Sequence, residues 1–255
     1  MPPNILDAEF RDVITRFCTG GTLIAFDYDG TLAPIVSDPA KAAMRPQTRD
    51  LLKKVAARHP TAVISGRQRR DVQRLLAGVP LLEVVGNHGA EAFGSQGRAQ
   101  VLRQVAAWRE ALMQRLAPVP GVFVEDKRLS LSVHYRNSPD PSEALGEIRR
   151  VLSDLTGARF IGGQAVINVT PDGSPHKGEA LLRLRERLAC GKMVYVGDDD
   201  TDEDVFALGL PQQLLTIRVG CDRSTAAAYC IESQERIDEL LSSLLAGDIA
   251  LGSFS

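Results

Sequence analysis

The chain has 255 residues, 44% of them hydrophobic and 24% charged, with a formal net charge of -2. That length buries one large core or two unequal ones. The near balance of 30 basic and 32 acidic residues argues against a nucleic-acid partner, which requires a strongly basic footprint. There is no basic-then-apolar leader and no apolar run near the ~20 residues of a membrane span, so no membrane partner and a cytoplasmic setting are expected. Cys18, Cys190, Cys221 and Cys230 contain no C-x-x-C pair, and reduced, mostly buried thiols are expected.

In chain order, the first apolar run is Thr22–Phe26 (TLIAF), predicted as a strand and followed at once by Asp27-Tyr28-Asp29-Gly30. A helix is predicted over 45–58. A strand at Thr61–Ile64 (TAVI) then leads into Ser65-Gly66-Arg67, and one at 82–85 (LEVV) leads into Gly86-Asn87-His88-Gly89. Over 98–116, Val101, Val105, Trp108, Leu112 and Leu116 stand at helical spacing. Strands are predicted at 121–125 and 129–135. The second, LSLSVHY, alternates with period 2, as a half-exposed antiparallel strand does. A helix over 142–155 and a hairpin of 158–162 with 164–170, turning at Gly163, follow. Next come a helix over 177–189, a strand at 193–196 (MVYV) running into Gly197-Asp198-Asp199-Asp200, a strand at 215–219 (LTIRV) and a helix over 234–245.

Near-continuous apolar strands alternating with helices predict an α/β fold, a Rossmann-like doubly wound parallel sheet covered on both faces. Residues 1–92 and 169–255 are expected to form this core, and 93–168 an inserted α+β domain. In such sheets the ligand crevice lies just past the strand C-termini, and four of the five core strands end in residues fit for chemistry.

Asp27 and Asp29 stand two apart where a buried strand breaks. One could attack phosphorus and hold a hard cation while the other moves a proton; an ordinary strand exit through a D-G turn reads the same way. Ser65 offers a hydroxyl beside backbone N–H groups at a helix start, which suits a phosphate oxygen and equally suits a plain N-cap. Ser174-Pro175 reads as an N-cap followed by proline at the first helical position. Lys177 then sits in the first turn, where the dipole disfavours a cation by ~0.3–1 kcal/mol; a surface lysine tolerating that cost is the alternative. Six acids within 197–204 either decorate a helix N-terminus or hold a divalent cation; the spacing does not fit an EF-hand loop.

Together, D-x-D-G-T at Asp27–Thr31, S-G-R at Ser65–Arg67, Lys177 and G-D-D-x-T-D at Gly197–Asp202 resemble, in order, the motifs of the haloacid dehalogenase superfamily of phosphatases. The resemblance implies Asp27 as nucleophile, Asp29 as general acid/base, and Ser65 and Lys177 as holders of the phosphoryl group. It also implies Mg2+ bound by Asp27, Asp198 and the Asp29 backbone carbonyl, with Asp202 and Asp199 behind the metal, orienting waters or Lys177.

More narrowly, D-Y-D-G-T-L-A-P-I, the G-N-H-G-A-E stretch and V-E-D-K-R-L-S-L-S-V-H-Y-R over 124–136 resemble the trehalose-6-phosphate phosphatase branch. That likeness implies the insert is a cap whose Glu125 and Lys127 meet sugar hydroxyls, with Arg67, Asn87, His88 and Arg136 as further substrate contacts. The implied reaction is hydrolysis of a small sugar phosphate, trehalose 6-phosphate, through an aspartyl-phosphate, by a monomer or weak dimer. Another sugar or glycosyl-glycerate phosphate as substrate, a phosphotransferase or mutase, and a non-catalytic sugar-phosphate sensor are the competing readings.

Overall fold

A computed structural model of the chain describes residues 1–18, 21–36, 41–91, 98–163, 165–221 and 224–249. The strands in chain order are β1 (Thr22–Phe26), β2 (Thr61–Ile64), β3 (Glu83–Val85), β4 (Phe123–Asp126), β5 (Leu131–His134), β6 (Ala158–Gly163), β7 (Val166–Pro171), β8 (Lys192–Gly197), β9 (Leu214–Val219) and β10 (Tyr229–Ile231). The helices are α1 (Arg11–Phe17), α2 (Pro46–Arg58), α3 (Arg69–Leu75), α4 (Arg98–Leu116), α5 (Pro141–Leu152), α6 (Lys177–Arg187), α7 (Glu203–Phe206) and α8 (Ile237–Ile249). The chain divides into two compact units, Met1–Ala92 with His176–Ser255, and Phe93–Pro175.

The larger unit is a parallel sheet of order β10-β9-β8-β1-β2-β3. β1 is buried at every residue, which is what a central parallel strand covered on both faces requires. Because side chains alternate along a strand, Ile24 and Phe26 join a core with α1, α2 and α8, while Leu23 and Ala25 are buried on the opposite face. The α/β expectation therefore holds. The strand order runs away from β1 in both directions, through β2 and β3 on one side and through β8, β9 and β10 on the other. The switch point between β1 and β8 is where such sheets open a ligand crevice.

The smaller unit carries an antiparallel sheet of order β4-β5-β7-β6. Val105, Trp108 and Leu112 of α4 and Ile148 and Val151 of α5 pack with Leu131, Val133, Ile167 and Val169. The register sets Glu125, Ser132 and Asn168 side by side, and alternation turns them to the face away from that core. The α5 helix starts where the Asp140 side chain accepts from the Ser142 and Glu143 N–H groups, with Pro141 in the first turn. This unit ends at Pro175 rather than at 168, because β7 continues to Pro171 in register with β6. Gln164, expected to open the last strand of the hairpin, and 93–97 of the insert lie outside the described residues.

Two local expectations are corrected and one element is added. Tyr229–Ile231 adds an edge strand too short to show a pattern in sequence. The helix expected at 234–245 begins as a 3-10 turn, Gln234–Arg236, and continues as α8 to Ile249. Cys221 and Cys230 form a disulfide with a Cα–Cα distance of 5.4 Å, because β9 and β10 are parallel neighbours and Cys221 lies just past the end of β9. Cys18 and Cys190 are buried and take no part in a disulfide.

Protein isolated without reductant and then denatured is expected to expose two titratable thiols, Cys18 and Cys190, and four after reduction. Four reactive thiols before reduction would show that the 221–230 bridge does not form.

Candidate active site

Three adjacent strands deliver the site. Asp27 follows β1, Ser65 follows β2 and Asp198 follows β8. The Asp27 N–H donates to the Val196 carbonyl at 2.8 Å, and the Ser65 N–H to the Val85 carbonyl at 2.9 Å. Sheet hydrogen bonding therefore continues one residue into the loops after β1 and β2.

Lys177 is the first residue of α6 and is 2% exposed. Its Nζ lies 3.0 Å from Asp27 Oδ1 and 2.7 Å from Asp202 Oδ1. The helix is not capped by Ser174-Pro175, as the sequence suggests. The residue before it is His176, in extended conformation and without a side-chain cap, so the helix starts two residues later than a proline at its first position would put it. The dipole cost at Lys177 is met by two buried carboxylates.

Asp202 is fully buried. Its Oδ1 accepts from Lys177 Nζ and from the Tyr195 hydroxyl at 2.6 Å, and its Oδ2 accepts from the N–H groups of Asp198 at 3.0 Å and Asp199 at 2.9 Å. A carboxylate has about four acceptor positions, and here all are filled. Oxygens of Asp27, Asp198 and Asp202 lie within 4.8 Å of one another, but only Asp27 and Asp198 of the three keep capacity for a cation. Asp199 caps the turn Asp200–Asp202, accepting from the Asp200 N–H at 2.8 Å.

Two glycines make this convergence possible. A Cβ on Gly30, whose φ is +82°, would stand 2.0 Å from Asp198 Oδ2, and one on Gly197 would stand 2.3 Å from Asp202 Cγ. Thr31 Oγ1 donates to Asp198 Oδ1 at 3.0 Å, so the D-G-T segment of one loop holds the carboxylate of the other.

The electrostatics follow from burial. Burial pushes the Asp27 carboxyl from 3.8 up to about 7, with Asp202 and Asp29 adding to the rise and Lys177 opposing it. Burial, then Asp27 and Asp202, hold the Asp198 carboxyl well above the carboxylate range. Burial works against the Lys177 charge, but Asp202 and Asp27 outweigh it and hold the ammonium above the usual lysine range. Three carboxylates around one ammonium leave an excess of negative charge when all are ionised. Hard oxygen donors in that balance suit a hard divalent cation.

Asp29 is clamped by Arg67, whose Nε and Nη2 donate to its two oxygens at 2.5 and 2.6 Å. The Arg67 guanidinium also lies over the Tyr28 ring, 5.7 Å from its centroid. Asn87 and His88 are buried with φ of 50° and 56°. Their N–H groups donate to the Arg67 and Ser65 carbonyls at 2.7 and 3.0 Å, and the His88 ring lies where a Cβ on Gly66 would meet it. They buttress the S-G-R turn. In the smaller unit, Glu125 Oε2 lies 2.9 Å from His134 Nε2 and 3.9 Å from the buried Lys127 Nζ, while Arg136 is exposed just beyond β5.

Sequence reasoning missed Thr31, Tyr195 and Arg218 as contributors. Two of them left a signal. A tyrosine inside the apolar run MVYV needs a partner for its hydroxyl when buried, and an arginine inside LTIRV is almost never buried unpaired.

Comparison with known proteins points one way. A family model described as trehalose-phosphatase matches residues 25–235. A protein of Mycobacterium tuberculosis named trehalose-phosphate phosphatase is 37% identical over 238 residues, covering 85% of this chain and 59% of that protein. A rice protein (Oryza sativa subsp. japonica) named "Probable trehalose-phosphate phosphatase 4" is 32% identical over 252 residues, covering 92% and 68%. The chain thus spans about three fifths of the length of the mycobacterial relatives it matches. Among solved structures, the C-terminal domain of Candida albicans trehalose-6-phosphate phosphatase superposes with a TM-score of 0.82 at 22% identity, covering 96% of this chain and 99% of that one, which shows a shared fold. Trehalose-6-phosphate phosphatase of Aspergillus fumigatus, crystal form 3, superposes with a TM-score of 0.66 at 25% identity, covering 97% and 100%. With the family model spanning most of its length, the chain belongs to the trehalose-phosphatase family.

Proposed function

We propose that this protein is a magnesium-dependent phosphatase that hydrolyses trehalose 6-phosphate to trehalose and phosphate through an aspartyl-phosphate on Asp27. The observation that carries the reading is the buried Lys177 ammonium shared by Asp27 and Asp202 at the strand switch point, with the Asp198 carboxylate in the same group. Family membership and the names of the relatives supply the substrate.

In this reading Asp27 attacks phosphorus in line, while Lys177 and the Ser65 hydroxyl hold the phosphoryl oxygens. Asp29 gives its proton to the leaving sugar oxygen and then takes one from the water that cleaves the acyl phosphate. Both Asp29 oxygens accept from Arg67, so one of those hydrogen bonds must yield for the transfer. Asp27, Asp198 and the Asp29 carbonyl would hold magnesium, which would supply charge neutralisation at the phosphoryl group. The protein's contribution is placement and fixed charge in a buried setting. Glu125 and Lys127 are assigned to the sugar hydroxyls, with Arg136 and the Asn87-His88 turn as further contacts. The protein acts on a small molecule, as a monomer or weak dimer, with no nucleic-acid partner.

No described helix is long and apolar enough to cross a membrane. The cytoplasmic setting belongs to the same proposal, and the Cys221–Cys230 disulfide bears against it, since a reducing compartment would open the bridge.

Replacing Asp27 with Asn is expected to cut turnover by about 10⁴-fold or more while the fold persists by circular dichroism; turnover near that of the parent would defeat the nucleophile assignment. Among trehalose 6-phosphate, glucose 6-phosphate and sucrose 6-phosphate with magnesium, the first is expected to have the highest kcat/KM, by about 10²-fold. A preference for either of the others reassigns the substrate within the same chemistry. Glu125→Ala is expected to lower kcat/KM for trehalose 6-phosphate about 10- to 100-fold, with little effect on p-nitrophenyl phosphate. An equal loss on both would remove Glu125 from sugar recognition.

The raised Asp27 carboxyl has a pH consequence. Between 3.8 and about 7, the metal-free folded protein keeps a proton that the unfolded chain releases. The contribution of Asp27 to stability therefore falls as pH rises through that window. A dication that binds the ionised carboxylates offsets this loss. Added magnesium should raise Tm more at about pH 8 than at about pH 5.5; an equal rise at both would contradict the proposed ligands.

A further inference from the structure

Arg218 is a charged residue that the proposed mechanism does not use, yet it is 2% exposed. It lies on β9 directly opposite Gly197 of β8, the residue before Asp198. Its Nη2 donates to the Asp198 carbonyl at 2.6 Å, and its Nη1 donates to Glu203 Oε1 at 2.7 Å. Glu203 accepts further from the Thr225 hydroxyl at 2.6 Å and the Ala226 N–H at 2.9 Å, so the connection between β9 and β10 holds it in turn. A guanidinium buried without a partner is strongly unfavourable, and this one is held where it is by a carboxylate and a carbonyl.

Asp198 is thereby gripped at three points. Its N–H donates to Asp202, its carboxylate accepts from Thr31, and its carbonyl accepts from Arg218. A peptide fixed at both ends presents its side chain in one direction. We propose that Arg218 is a positioning residue for the divalent cation: by holding the Asp198 carbonyl it fixes the peptide that aims the Asp198 carboxylate, while Glu203 balances its charge. The inference rests on the reading of Asp198 as a metal ligand.

Two effects compete when Arg218 is removed. Losing a positive charge near a cation strengthens metal binding, and losing the anchor weakens it. Because Arg218 is paired with Glu203 at 2.7 Å, most of its charge is already compensated. Loss of a group that orients a ligand lowers metal affinity by about 10- to 100-fold, so the positional effect dominates.

The test is cation binding without substrate, by calorimetry with Mg2+ and by electron paramagnetic resonance with Mn2+, alongside the magnesium dependence of turnover. Arg218→Met is expected to bind either ion about 10- to 100-fold more weakly, and to raise the magnesium concentration for half-maximal rate while kcat at saturating magnesium falls much less. Arg218→Lys, which keeps the charge but has one donor nitrogen in place of the two that Arg218 uses, is expected to lose about three- to tenfold. A destabilised Arg218→Met that binds the ions with parental affinity would show a purely structural role and overturn the proposal. Should that variant fail to fold, Arg218→Lys decides, with parental affinity overturning and weakened affinity supporting it. A parent protein that binds neither ion overturns the metal-ligand reading itself, and this inference with it.

Discussion

The site depends on one buried ion triplet. Lys177 brings an ammonium to 3.0 Å from Asp27 and 2.7 Å from Asp202 in a place closed to water. Neither carboxylate could remain there ionised without it, because an uncompensated buried charge costs several kcal/mol. The triplet also joins three pieces of chain that share no local sequence: the exit of β1, the loop after β8 and the start of α6. Tyr195 and two backbone N–H groups complete the set around Asp202, so the loop after β8 is folded around that carboxylate as around a pin.

The sheet explains why these pieces meet. β1 and β8 are parallel neighbours in register from Thr22↔Lys192 to Phe26↔Val196, so the residues just past their ends emerge side by side. The strand order reverses between them, which leaves the crevice free of a crossover. Close approach then falls to glycine, since the Asp198 and Asp202 carboxylates occupy the space that side chains at Gly30 and Gly197 would need. Charge density is the reverse side of this packing. The Asp27 and Asp198 carboxyls are raised because they are buried together, an arrangement that favours a divalent cation over water.

Arg67 and Arg218 show how the same chemistry plays two parts. Arg67 grips the Asp29 carboxylate with both arms of its fork, and Arg218 spans a carboxylate and a main-chain carbonyl. A planar guanidinium suits both tasks and an ammonium would suit neither. One acts on the side chain assigned to proton transfer, the other on the backbone of a metal-ligand candidate.

Much of this was legible in the residues alone. TLIAF and TAVI run straight into Asp27 and Ser65, and MVYV runs through Gly197 into Asp198, so the parallel sheet and the polar residues just past its strands could be read locally. LSLSVHY alternates, so an antiparallel element in a second unit could be read too. The partners could not. Nothing near Asp202 in sequence announces that its four acceptor positions go to Lys177, Tyr195 and two N–H groups, nor that Arg67 reaches back to Asp29, nor that Cys221 meets Cys230 instead of staying reduced. Periodicity and strand-end composition are properties of short windows, so the amino-acid order by itself determined the elements and the residue types at their ends. Which carboxylate has its acceptor positions filled and which keeps one open depends on how separate elements pack, from the turn and helix around Asp202 to the D-G-T loop that reaches Asp198, and only the tertiary structure decided that.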